Sequence, residues 1–251
     1  MTKKLLIAGG ILAAIIVVSV RYLASNLDSI VKKAITTVGS EMTGVSVDVD
    51  DVAISLADGR GEIGGLEVGN PRGYNGPHAF KLGSILLALD AAADTKDVVV
   101  IQELTVEAPD IVYDKGSNAS NVEAIQKNID EYSKARAEAR AKDPPTKDDD
   151  AAARRFIVES LQIRNGKIRL PDRDVVIDLP PLSMRNLGKS QGGMTGSEIA
   201  SIVVDQMTQA TVAAAARGAV QDAVKEAVDE KKDAVKEAVD EKKGGRRRPG
   251  R

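Results

Sequence analysis

The sequence predicts an α+β protein with a single N-terminal transmembrane helix, a curved, taco-like antiparallel β-sheet packed with helices, and a long C-terminal helix. Three observations predict this class. The 251-residue chain begins with an apolar run. Its middle alternates apolar and polar residues with the period of a β-strand, and its C-terminal part repeats apolar positions with the period of a helix.

Residues 1–24 form the predicted membrane anchor. Residues 5–20 carry no charge, and a helix over residues 5–23 would be about 28 Å long, close to the ~30 Å hydrocarbon core of a bilayer. The alternative is a secretory signal peptide, but the apolar run is long for one and no small-x-small cleavage site follows it cleanly. The anchor residues expected to contact lipid are Leu5, Ile11, Ile15, Val18 and Leu23.

Residues 25–43 continue as a predicted juxtamembrane amphipathic helix, because one stripe of the helical repeat is apolar. The period then changes to two, so residues 44–120 are predicted to form a first β meander with one apolar face. Val49 and Val52 are out of phase with each other, and a one-residue slip of this kind indicates a β-bulge.

Four further strands of this meander are predicted over residues 63–68, 80–89, 98–106 and 111–113. Alternation brings their apolar positions to one side of the sheet. That side is predicted to contact lipid or to form an ordinary closed core beneath the neighbouring helices. The residues expected on it are Ile54, Leu66, Phe80, Leu82, Leu87, Leu104 and Val106.

Residues 121–150 are predicted to be a helix followed by a charged linker. Ser120 and Glu123 have the spacing of a capping box, in which each side chain satisfies a backbone donor at the helix start. The helix is polar after Tyr132, and it ends near residue 141, before a segment that contains two prolines and is rich in Asp and Lys.

Residues 151–190 are predicted to be a second β segment. Asn165-Gly166 lies between two alternating runs and predicts a type I′ hairpin turn. Pro180-Pro181 interrupts a later run, and prolines, which cannot donate to a ladder, suit an edge strand or a bend.

Residues 191–243 are predicted to contain a long helix. Thr195 and Glu198 form a second capping box, and an 11-residue sequence occurs twice in succession, over residues 222–232 and 233–243. The apolar stripe of this repeat has three interpretations: helix–helix association, contact with a lipid surface, or a solvated helix. The residues expected to mediate association are Val224, Val228, Val235 and Val239.

Composition excludes several function classes. Lys and Arg total 35 against 37 Asp and Glu, which is unlike a nucleic-acid binder, although residues 244–251 form a basic tail that would meet lipid headgroups or be solvated. No cysteine is present, so thiolate chemistry is excluded. His78 is the single histidine and has no recognisable catalytic partner, while Asp48, Asp50 and Asp51 fit the wet face of a strand better than a calcium site. The sequence therefore predicts no enzyme, no metal site and no cofactor.

The stretch between residues 44 and 125 resembles the AsmA-like family of bacterial envelope proteins. The resemblance rests on three segments, TGVSVDVDDVAISL, GEIGGLEVGNPRGYNGPHAFKLGSILLALD and VVVIQELTVEAPDIVYDKGSNASNVEAI. In that family a strand and loop of the form GLxVxNPxGY precede a long alternating strand, and a VEAPxI strand ends near an Asn before a helix. The later RRFIVESLQIRNGKIRL and LSMRNLG are also similar to its paired strands.

The resemblance implies a single-pass anchor in the bacterial inner membrane, with the bulk of the chain in the periplasm. It also implies a curved, apolar-lined β-groove of the kind associated with lipid transfer. Family members that bridge the envelope are several times longer, whereas this sheet would be only a few tens of Å across. It would have to pass lipid to a partner, assemble into a larger groove, or be structural.

Two functions are therefore expected from the sequence. In the first, a membrane-anchored periplasmic protein binds or relays the acyl chains of a phospholipid or another acyl lipid in envelope biogenesis. In the second, the anchor and the C-terminal helix assemble a homo-oligomer or larger envelope complex that acts as a scaffold without lipid transfer. Both functions make the membrane a partner, and neither involves nucleic acid.

Overall fold

The computed structural model describes residues 26–55, 57–90, 98–142 and 155–244. The architecture is α+β, with a curled mixed sheet that forms a half-barrel and three helices. The predicted anchor, with Leu5, Ile11, Ile15, Val18 and Leu23, lies outside the described residues, as do most of the charged linker and the basic tail.

The described residues form ten strands and three α-helices. The strands are β1 (Val47–Asp48), β2 (Asp51–Ser55), β3 (Arg60–Val68), β4 (Phe80–Leu89), β5 (Val98–Glu107), β6 (Asp110–Val112), β7 (Arg155–Arg164), β8 (Lys167–Leu170), β9 (Val175–Asp178) and β10 (Leu182–Leu187). The helices are α1, described over residues 26–43, α2 (Asn121–Lys142) and α3 (Gly196–Gly244). Short 3₁₀ turns lie at Pro171–Arg173 and Lys189–Gln191.

The sheet is mixed, so the prediction of a purely antiparallel sheet is wrong. β5 pairs with β7 and β6 pairs with β8 in parallel, while the remaining pairs are antiparallel. The reason is the connection between β6 and β7, which contains α2. A helical crossover returns the chain to the start of the neighbouring strand, and the next strand then runs in the same direction. Both predicted β segments therefore belong to one sheet.

The hairpin predicted at Asn165-Gly166 is also wrong. β8 continues in the direction of β7 and pairs with β6, whereas the strands of a hairpin would pair with each other. Asn165 has a left-handed φ of 59° and kinks the strand, and on the neighbouring strand Ala108 has a φ of 47° at the same level. Asn-Gly tolerates positive φ for a kink as readily as for a turn, so the dipeptide alone does not distinguish them.

The phase slip predicted after Val49 is present as the break between β1 and β2. It is not a bulge in one strand alone, because the partner strand β3 is kinked opposite it, at Gly65 with a φ of 59°. Every long strand of the sheet changes its apolar phase at this level. We call the line along which these phase changes are aligned across the sheet the kink line. The pairs of residues that flank it are Val49 and Val52, Ile63 and Leu66, Leu82 and Ile85, Val106 and Pro109, Ile163 and Gly166, and Leu179 and Leu182. Because all strands slip together, one face of the sheet stays apolar across the kink.

Both predicted capping boxes are confirmed. The Ser120 backbone N–H donates to Glu123 Oε2 at 2.8 Å, and the Glu123 N–H donates back to Ser120 Oγ at 3.3 Å. Thr195 and Glu198 make the same reciprocal pair, at 2.7 and 3.2 Å. α2 and α3 therefore begin where the sequence places them.

Within the described residues, one segment is long and apolar enough to cross a bilayer by length and composition, Gly196–Gly218 of α3, and 33% of it is buried. A helix that packs on a core meets the same criterion. The helix to which this segment belongs contacts α2 and the strands β8, β9 and β10.

Candidate functional site

The seven residues predicted to face lipid or core share one face of the sheet. Leu66 lies opposite Leu82, and Leu87 lies opposite Leu104. Ile54 lies opposite Gly61, which pairs with Leu87 on its other side. Phe80 and Val106 occupy the same face further along β4 and β5. We call this surface the apolar face.

Burial divides the predicted residues into two groups. Phe80 and Val106 are 4% and 2% exposed and belong to the closed core. The other five are half-buried and lie on β2, β3, β4 and β5, together with three neighbours that the sequence analysis did not single out. This open strip consists of Ile54, Ile63, Leu66, Leu82, Ile85, Leu87, Leu89 and Leu104.

The closed part of the apolar face lies under α2 and α3. The β7 residues Val158, Leu161 and Ile163 are fully buried, as are Ile111 and Ile168 at the far end of the sheet. β7 belongs to the second predicted β segment, and its place beside β5 joins that segment to the first in one sheet. Its buried residues Val158, Leu161 and Ile163 lie on one face, as expected for a strand with one face packed on the core.

Helix α1 lies along the edge formed by β1 and β2. Asp28 Oδ1 accepts a hydrogen bond from the Ile54 N–H at 2.8 Å, and Lys32 Nζ donates to the Asp50 carbonyl at 2.7 Å. Further along, Ser40 Oγ accepts from the Val47 N–H at 2.9 Å. α1 thus satisfies exposed backbone groups of an edge strand and runs from the Ile54 end of the sheet to the Val47 end.

A buried amide network joins the loop after β3 to the start of α2. Asn70 Nδ2 donates to the carbonyls of Asn75, Gly76 and His78, at 2.8, 3.1 and 3.2 Å. Asn70 Oδ1 accepts from Asn121 Nδ2 at 2.7 Å. These residues belong to the motifs that resemble the AsmA-like family, and within this fold they bind backbone rather than offer a reactive group.

Asn121 completes this network at the end of β6. Its Nδ2 also donates to the Val112 carbonyl at 2.7 Å, and its Oδ1 accepts from the Asp114 N–H at 3.0 Å. Asp114 Oδ2 in turn accepts from the Asn75 N–H at 2.5 Å. Asn121 is fully buried and Asp114 is 5% exposed, so these bonds fix the start of α2 over the far end of the sheet.

Two pKa values near this network are displaced. The side-chain and backbone hydrogen bonds from Ser120 lower the pKa of Glu123, because they stabilise its charged form. Burial raises the pKa of the Tyr113 phenol, since removal from water disfavours the charged form. Both shifts follow from structural contacts and do not indicate a catalytic pair.

The opposite face of the sheet is polar and carries two open cavities. The larger has a volume of about 640 Å³, and its lining includes Glu62, Leu86, Glu103 and Thr105 together with Ile54 and Leu87 at the edge of the sheet. The smaller, about 540 Å³, shares Glu62 with it and reaches the kink line at Gly65. Leu86 is 39% exposed on this face, although its neighbour Leu87 belongs to the open strip.

On the polar side of the sheet, ion pairs join the parallel strands β5 and β7 and the parallel strands β6 and β8. Arg164 Nε contacts Glu107 Oε1 at 2.5 Å, and Arg169 Nε contacts both oxygens of Asp110, at 2.8 and 2.9 Å. His78 is 8% exposed, and its Nε2 has no hydrogen-bond partner in the described part of the chain, with Asp110 Oδ2 at 3.9 Å. No group of three or more His, Asp or Glu residues in the described ranges could hold a metal ion.

The residues predicted to associate helices are only partly described. All four lie within α3, and Val228 is 44% exposed. The side chains of Val224, Val235 and Val239 lie outside the described residues. Their role in association stays a prediction.

Comparison with protein-family models found no match, and comparison with curated proteins found none either. The resemblance to the AsmA-like family therefore rests on the motifs of this chain alone.

Proposed function

We propose that this chain is a membrane-anchored, AsmA-like envelope protein whose open strip binds the acyl chains of a bilayer lipid. The observation that supports the proposal best is the strip itself, a continuous row of half-buried Leu and Ile side chains on one face of a curled sheet. Unlike scattered exposed leucines, a contiguous apolar surface is typical of a binding site.

The position of α1 supports the bilayer that holds the predicted anchor as the source of that lipid. Asp28, near the first described residue of the helix, lies beside Ile54 at one end of the strip, and the chain that precedes it contains the predicted anchor. An inner-membrane location with a periplasmic body follows from the family resemblance and belongs to the same proposal. The chain would then hold its strip close to the bilayer surface.

The test compares two adjacent leucines on β4. The two residues share a strand, a size and a chemistry. They differ in position, because Leu87 lies on the open strip and Leu86 is exposed on the opposite face. The full chain is purified in mild detergent, and co-purifying phospholipid is measured by mass spectrometry. We expect Leu87→Asp to lose most of the bound lipid because a carboxylate in an apolar site is strongly unfavourable, and Leu86→Asp to retain it.

Circular dichroism identifies a variant that fails to fold. Ile54→Asp is the second variant, because Ile54 lies at the sheet edge outside the packed core cluster. If folded Leu87→Asp and Ile54→Asp both carry as much lipid as the unchanged protein, the proposal is wrong. The proposal is also wrong if the unchanged protein carries no phospholipid either in detergent or in nanodiscs.

The length of α3 favours a second candidate function, a homo-oligomeric scaffold. A Cβ at Gly218 would lie 2.6 Å from Ile177 Cδ1, so the helix crosses β9 closely there. The 26 residues that follow extend about 39 Å further at ~1.5 Å per residue. Val220 on this extension is 64% exposed. Under this function, deleting residues 222–243 collapses the oligomer measured by mass photometry in nanodiscs, whereas under the lipid-binding function the same deletion leaves lipid content unchanged.

A further inference from the structure

We infer that the open strip accepts an acyl chain from one end only and is closed at the other, so that a phospholipid chain enters from the adjacent bilayer and leaves by the same route. The inference rests on the proposed lipid binding and goes further, because it excludes a groove through which lipid slides from one end of this sheet to the other.

The burial of β3 and β4 changes along their length. On β4, Leu89, Leu87, Ile85 and Leu82 are all half-buried, whereas Phe80 is 4% exposed. On β3, Ile63 and Leu66 are half-buried and Val68, which pairs with Phe80, is 9% exposed. The strip therefore ends at the row formed by Val68 and Phe80. At ~3.3 Å per residue, the seven steps from Leu89 to Leu82 span about 23 Å.

The closed end is covered by the beginning of α2 and the end of α1. Val122, Ile125 and Ile129 on α2 are fully buried, and Met42 on α1 is 5% exposed. Asn128 Nδ2 donates to the Thr43 carbonyl at 2.7 Å and joins the two helices there.

The rest of α2 is polar, which explains why the cover is incomplete. From residue 130 to residue 136 the helix surface is exposed except at Tyr132 and Ser133, which are half-buried. α2 follows β6, and the chain returns through residues outside the described ranges to the start of β7. An apolar surface left without an apolar helix is available to another apolar partner.

The open end faces the chain that leads to the predicted anchor. α1 runs from Asp28, hydrogen-bonded to the Ile54 N–H, to Ser40, hydrogen-bonded to the Val47 N–H. Its first described residues therefore lie at the open end, and the apolar run of residues 5–20 precedes them in the chain. The partner that fits this geometry is an acyl chain of a phospholipid in the membrane that holds the anchor.

The experiment maps contacts of a phospholipid that carries a photoreactive diazirine at the end of one acyl chain. The full chain is placed in nanodiscs that contain this lipid, irradiated, and digested, and the modified residues are located by mass spectrometry. We expect adducts on strip residues such as Leu87, Leu82 and Leu104, and at least tenfold fewer on Val68, Phe80 and Ile111.

A matched pair of variants tests the closed end directly. Phe80→Ala removes the side chain at the end of the strip and should extend the adducts to Val68 and Ile111, whereas Leu86→Ala on the opposite face should leave the pattern unchanged. Equal labelling of the strip and of the closed end in the unchanged protein would overturn the closed end while leaving lipid binding intact. No labelling of either region would overturn both proposals.

Discussion

Both ends of the apolar face are apolar, but the burial of β3 and β4 differs between them. At the open end, Leu87 and Leu104 pair across β4 and β5 and remain half-buried, while at the closed end Phe80 and Ile111 pair across β4 and β6 and are almost fully buried. The difference comes from the helices above them. Apolar alternation decides which face of a sheet avoids water, but the cover on that face depends on the neighbouring element.

The largest effect should come from truncating two leucines that lie side by side. Leu104 and Leu161 pair across β5 and β7, but Leu161 is fully buried and Leu104 half-buried. Leu161→Ala should lower the free energy of unfolding by about 2–5 kcal/mol, since it leaves a cavity. Leu104→Ala should lower it by roughly 1.5 kcal/mol, since less apolar area is involved. Urea denaturation of the full chain in mild detergent measures both, and equal losses would contradict the division of the face.

A smaller effect is expected when the amide network at the closed end is broken. Asn121→Ala removes the donor to Asn70 Oδ1 and the Val112 carbonyl and the acceptor of the Asp114 N–H. Unsatisfied buried groups cost about 1–3 kcal/mol each, although water can enter and reduce this. We expect a loss of roughly 2 kcal/mol in the same denaturation assay, together with faster amide hydrogen exchange in α2. Unchanged exchange in α2 would show that the network does not hold the helix.

The smallest effect is expected at the cap of α2, and it depends on pH. Because hydrogen bonds from Ser120 lower the folded-state pKa of Glu123 below its ordinary 4.5, their stabilisation is fully present above pH 4.5 and is lost as the pH falls through the lowered pKa. Ser120→Ala should cost about 1 kcal/mol at pH 7 and should flatten this part of the pH profile. Thermal denaturation between pH 7 and pH 3 is the measurement. A variant with the same slope below pH 4.5 as the unchanged protein would contradict it.

Much of the local structure is readable from the sequence. The capping boxes at Ser120 and Thr195 fix helix starts through contacts within four residues, and the strands over residues 80–89 and 98–106 follow from alternation alone. On each side of the kink line the predicted face residues share one face because side chains alternate with a period of two, and the phase change at the kink keeps Leu82 and Leu87 on the same side. The kink line corresponds to a three-residue step in the apolar pattern of each long strand, and the step after Val49 is the one that the two alternating apolar runs around it make readable.

The long-range arrangement was not readable in this way. Asn165-Gly166 permits a turn or a kink, and the parallel neighbour β6 decides between them. The sequence is compatible with two roles for the apolar face, contact with lipid and a closed core. Half of the face is closed, because the apolar residues of α2 end with Ile129 and the tertiary structure sets this helix over the far end of the sheet.

The sequence by itself therefore determined the elements, their caps and the apolar side of the sheet, since these depend on local backbone preferences and on side-chain period. The tertiary structure alone decided the strand directions, the place of β7 between β5 and β10 and the extent of the open strip. Those features depend on where the α2 crossover returns the chain and which residues it covers, and such contacts join positions that are far apart in sequence.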